Sequence, residues 1–148
     1  MSINKKNLKG FTLIEILIVV ALIAILAAIT IIAINPAKNF RDTRNSQRSS
    51  DVAQILNAVT QYTSEQGHQL ADLGTIPLCT ATPAVIGTSG VDLTPDLVTA
   101  GDYIVAIPED PSNGDAADTR YTICQTANGR VQVDAPDAEG GKTITVQR

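Results

Sequence analysis

The most prominent pattern along the chain is an unbroken apolar run at residues 11–34, in which Ile, Leu, Val and Ala occupy every helical face and Glu15 is the single charge. As a helix its 24 residues reach roughly 36 Å, enough to cross a bilayer. Apolar side chains all round exclude a helix lying in the membrane interface. Asn35-Pro36 closes the run, and proline, lacking an N–H, predicts a kink or local break there. Residues 41–51 are polar on all faces and are read as either a solvent-bridging helix or a linker. Helical periodicity then returns: Val52, Ile55, Leu56, Val59 and Tyr62 recur at spacings of three and four and form one core-facing stripe, and Gly67 suits its stop.

Beyond His68 the pattern turns to short alternating runs separated by turn residues. Residues 121–125 and 130–134 alternate about Asn128-Gly129 and predict a hairpin. Residues 143–146 predict a third strand, while 76–79 and 84–86 are short edge candidates. Thr94-Pro95-Asp96 reads as an N-cap followed by proline at the first helical position, opening a short helix to about Ala100. Three antiparallel strands on one face of a long helix make an α+β head.

Charge sharpens this division. Lys5, Lys6 and Lys9 precede the apolar run, and Lys38, Arg41, Arg44 and Arg48 follow it. From Glu65 onward there are twelve acidic and four basic residues, a net of −8, which argues against nucleic-acid binding by the head. Basic residues before the run and an acidic bulk after it predict a single-pass orientation with the N-terminus inside. Cys79 and Cys124 then fall outside the cytoplasm, where a disulfide is favoured over two free thiols.

Candidate chemistry is sparse. One histidine, no Gly-rich phosphate loop and no nucleophile elbow leave no footing for an enzyme. Glu109 and Asp110 are read as exposed neighbours, a poor basis for a paired-carboxylate site. In the loop 108–118, the oxygens of Asp110, Asn113, Asp115 and Asp118 are a minor candidate for calcium, set against an ordinary solvated loop without EF-hand spacing.

At the N-terminal junction, Lys9-Gly10-Phe11-Thr12-Leu13-Ile14-Glu15 distinguishes the apolar run from a secretory signal peptide and from a plain anchor. The run exceeds the usual signal-peptide core of about 7–15 residues. A carboxylate five residues into a membrane helix is costly and gives an anchor nothing. These residues resemble the prepilin leader shared by type IV pilins and the pseudopilins of type II secretion: a short basic leader ending in Gly, then Phe-Thr-Leu-Ile-Glu and an aliphatic stretch.

The resemblance implies a pilin-like α+β fold with a leader (1–10), a transmembrane or filament-core helix (11–34), a stem (35–67) and a globular head (68–148). It further implies cleavage between Gly10 and Phe11 by a prepilin peptidase, methylation of the Phe11 amine, and an assembly role for Glu15. The partners implied are identical subunits, the assembly machinery and, before assembly, the lipid of the cytoplasmic (inner) membrane. The filament itself would stand in the periplasm or outside the cell, with Arg41, Arg44 and Arg48 facing acidic heads of neighbours or, as the weaker alternative, anionic lipid. A secretion pseudopilin, a minor pilin and, outside the family, a membrane-tethered binding or adhesion domain are the alternatives. Calcium is bound in a head loop of the major pseudopilins, which is what raises the 108–118 loop as a candidate.

Overall fold

The computed structural model describes residues 10–99 and 103–148. Residues 1–9 of the expected leader, with Lys5, Lys6 and Lys9, and the far end of the helix expected to close near Ala100 lie outside the described residues. The chain forms two compact units, one ending at Asn39 and one spanning Phe40–Arg148.

Helix α1 runs Leu13–Ile34 and has no buried residue. It stops at Asn35, whose left-handed backbone (φ 48°) breaks the helical ladder. Pro36 begins helix α2 (Pro36–Ser64), at the position where its missing N–H has no helical partner to lose.

The second unit is α+β. Strands β1 (Ala84–Val85), β2 (Thr122–Gln125), β3 (Val131–Asp134) and β4 (Thr145–Gln147) form an antiparallel sheet in sequence order, so all connections are between neighbours. The register pairs Ile123 with Ala84 on one side and with Val133 on the other, and Val133 with Val146. The sheet has four strands where the pattern predicted three, because β1 pairs as an edge strand. The 76–79 run contributes only a parallel bridge from Leu78 to Gln125. The segment expected to be a short helix is a five-residue π-helical turn, Pro95–Thr99, and its entry is held by Asp92 Oδ1 accepting from the N–H of Thr94 (3.0 Å).

The stripe Val52, Ile55, Leu56, Val59 and Tyr62 is buried and forms one cluster with Ile123 and Val133 of the sheet, with Tyr121 just before β2, and with Leu73, Ile86, Leu93 and Leu97 of the connecting segments. Successive residues of a strand face opposite sides of a sheet, yet Ile123 and Cys124 are both fully buried. Ile123 enters the core, and Cys124 is covered on the other side by Cys79, to which it is disulfide-bonded.

Candidate functional site

Two places carry organised polar chemistry: the start of α1 and the first turns of α2. At the first, Gly10 and Phe11 precede the helix and are exposed, Phe11 to 84%. Thr12 is the N-cap. Its N–H and its hydroxyl both donate to Glu15 Oε2 (2.8 and 2.7 Å), and the Glu15 N–H donates back to Thr12 Oγ1 (3.3 Å). This reciprocal pattern satisfies two of the donors that a helix start leaves open. It was legible in the sequence as Thr-x-x-Glu before an apolar run. Within one chain the Glu15 carboxylate therefore meets Thr12. Beyond it, aliphatic side chains from Ile16 to Ile34 lie more than half exposed on all sides. Among the described residues this is the helix long and apolar enough to cross a membrane.

The second place corrects the reading of residues 41–51. They are helical, and Asn45, Arg48 and Asp51 are buried against the head. Their spacing of three continues the register of the apolar stripe, so one face of α2 changes from polar to apolar contacts without leaving the core. Arg48 is 1% exposed, and its fork meets Asp110, with Nε to Oδ2 at 2.5 Å and Nη2 to Oδ1 at 3.1 Å. Further contacts reach Ser112 Oγ (3.0 Å), Asn45 Oδ1 (3.2 Å) and Glu139 Oε1 (3.2 Å). Arg44 holds Glu139 through both carboxylate oxygens (2.7 and 2.6 Å). Asn45 fastens the same turn, donating to the Glu139 carbonyl and accepting from its N–H (both 2.9 Å). The Tyr121 hydroxyl donates to Asp51 Oδ2 (2.8 Å). Arg44 and Arg48, expected to face neighbouring subunits or lipid, are thus engaged within their own head.

Electrostatics follow from these contacts. Burial alone would raise the Asp110 carboxyl, but hydrogen bonds from Arg48 and from the Ser112 and Asn113 N–H groups hold it below the ordinary range. The hydrogen bond from Arg44 takes Glu139 from an ordinary 4.5 down to about 2. Burial, with the hydrogen bond to Asp51, pushes the Tyr121 phenol up. No buried side-chain polar atom among the described residues is left without a partner.

The four side chains considered for calcium are engaged with other partners or exposed. Asp110, read as exposed, is buried on Arg48. Asp115 Oδ1 accepts from the N–H groups of Ala117 and Asp118, and Asp118 accepts from Arg120. Asn113 is exposed. Among the described residues no group of His, Cys, Asp and Glu side chains is arranged to hold a metal ion. His68, exposed, lies with its ring 4.3 Å from that of Tyr62.

Comparison with curated proteins and with solved structures found no significant match. A family model does match the first of the two places, over residues 5–34, and its description is the prokaryotic N-terminal methylation motif. The capped start at Thr12, the carboxylate of Glu15 and the exposed aliphatic helix behind them are therefore the prepilin motif of type IV pilins and pseudopilins.

Proposed function

We propose that the protein is the structural subunit of a type IV pilus-like filament, cut between Gly10 and Phe11 by a prepilin peptidase, methylated on the Phe11 amine and assembled through α1. The observation that carries this reading is the methylation motif placed on a helix of aliphatic surface, none of whose residues is buried against the other described residues. Such a surface has two stable surroundings, lipid and other copies of itself. Before assembly α1 crosses the cytoplasmic membrane with the leader inside and the head outside, as the basic leader favours. After assembly the helices pack side by side, with residues 35–67 as stem and 68–148 as head around them, in the periplasm or outside the cell. The pseudopilins of type II secretion share the motif, and the same chemistry of assembly applies to them.

Glu15 sets the register of that packing. Cleavage leaves a positive amine at Phe11, and opposite charges about 4 Å apart attract by about 4 kcal/mol at an effective dielectric near 20, before desolvation is subtracted. Aliphatic surfaces tolerate sliding, whereas only one stagger sets a neighbour's amine level with this carboxylate. The Thr12 hydroxyl and N–H hold Glu15 in the meantime.

Mass spectrometry of the mature chain, combined with imaging of sheared filaments, tests the reading. A methylated Phe11 start and filaments containing this subunit are expected, with Glu15→Ala processed but poorly assembled. A chain beginning at Met1 or after Ala28, or a processed subunit that never leaves the membrane, would sink it.

A further inference from the structure

The ion pairs of the head leave a remainder. Arg44 and Arg48 are spent on Glu139 and Asp110, Lys142 faces Asp42, and Arg120 faces Asp118 and Asp137. On α2 this leaves Lys38 and Arg41 without an ion-pair partner among the described residues. Between them in sequence stands Phe40, an aromatic ring 64% exposed on an otherwise polar stretch of helix. An exposed aromatic beside an arginine free of ion pairs is the pairing in which interface anchors are enriched, and Lys38 adds a second positive charge to it.

The same unit carries a cavity of about 330 Å³ with the opposite character. Its walls are largely apolar, with Ile86, Leu93, Val98 and Ile107 among them, and Asp92 and Glu109 stand in its lining with no cation among the described residues that line it. The Glu109 carboxylate is exposed and makes no ion pair or hydrogen bond among the described residues. An apolar cavity of about 150 Å³ is enough to hold a benzene ring, so this one has room for a phenylalanine.

We propose that this cavity receives Phe40 of a second copy of the chain, with that copy's Arg41 and Lys38 set against Glu109 and Asp92. The contact rests on the filament reading above and gives it a second point of attachment, outside the apolar helices. It joins two different surfaces, stem to head. A heterologous contact of this kind propagates as an open helical array when its rotation does not close a ring, which is what a filament needs. A self-complementary patch would stop at a dimer.

The test uses full-length precursor expressed in filament-forming cells. Phe40→Ala, Arg41→Glu and Glu109→Arg are each expected to lower sheared-filament yield by about tenfold, as loss of an interface anchor does, with processing and thermal unfolding unchanged. The double charge exchange, Arg41→Glu with Glu109→Arg, should recover most of that loss. Because Cys79 and Cys124 are already joined, Phe40→Cys with Val98→Cys should add a ladder of disulfide-linked oligomers from intact filaments. Normal yield from Phe40→Ala, no recovery in the exchange, or cross-links only within a monomer or to another polypeptide would overturn the contact. Wild-type cells that process the subunit and make no filaments would instead overturn the filament reading and this contact with it.

Discussion

Replacing Arg48 by methionine removes the guanidinium and keeps most of the side-chain volume, so the loss is electrostatic rather than a cavity. Arg48 and Asp110 are each 1% exposed as side chains. Truncating one member of a buried pair leaves the other charged and desolvated, which costs about 3–5 kcal/mol. Asp110 would keep the Ser112 N–H (2.8 Å), and Glu139 would keep Arg44, so the lower half of that range applies. Asp110→Leu costs less, because Arg48 retains Glu139, Asn45 and Ser112. Beyond the contacts that Arg48→Met already forfeits, the double variant gives up the Ser112 N–H contact, about 1 kcal/mol, and leaves no carboxylate buried without its partner. The cycle therefore predicts a coupling of at least about 2 kcal/mol, with the double variant more stable than Arg48→Met alone. Urea unfolding of the full chain in detergent measures this. The chain has no tryptophan, so near-ultraviolet circular dichroism of the buried Tyr121 and Tyr62 reports on the head. A single-variant cost below about 1 kcal/mol, or additive effects, would show that the pair does not join the helix to the loop as argued.

Three further outcomes follow from the same structure. Asp110 and Glu139 have folded-state pKa values below their ordinary ones, so their contribution is present above about pH 4.5 and declines in acid, the Glu139 part being lost as pH falls toward about 2; an acid titration in which head stability is flat across that window would contradict this. Cys79→Ala with Cys124→Ala should cost about 4 kcal/mol, from the unfolded-state freedom regained over 45 residues, visible as a lower melting temperature that reductant no longer shifts. Gly87 holds φ 142° with a would-be Cβ 2.5 Å from the Ala117 carbonyl oxygen, so Gly87→Ala should destabilise by at least about 1 kcal/mol, while Gly67→Ala, with open space around it, loses only the backbone term; equal melting points for the two would refute the packing argument.

Much of this protein could be read locally. The apolar run, its break at Asn35-Pro36, the Val52 to Tyr62 stripe and the 121–134 hairpin depend on periodicity and turn chemistry, which act over a few residues. The methylation motif is likewise contiguous, lying within residues 5–34. What failed was the assignment of residues 41–51 to a solvent-bridging helix or a linker, and of Asp110 to the surface. Polar residues are assigned to solvent by default, and that default breaks where a charge meets its partner at long range. Arg48 and Asp110 are 62 residues apart, and Asn45 and Glu139 are 94 apart. Nothing within either segment marks the other. Burial of these charges exists only once the sheet has brought both loops against α2, and the desolvation each charge suffers is offset there and nowhere earlier. The fate of the α2 cations was decided in the same step: Arg48 was buried on Asp110 and Arg44, half-buried, was engaged by Glu139, while Lys38 and Arg41 stayed exposed.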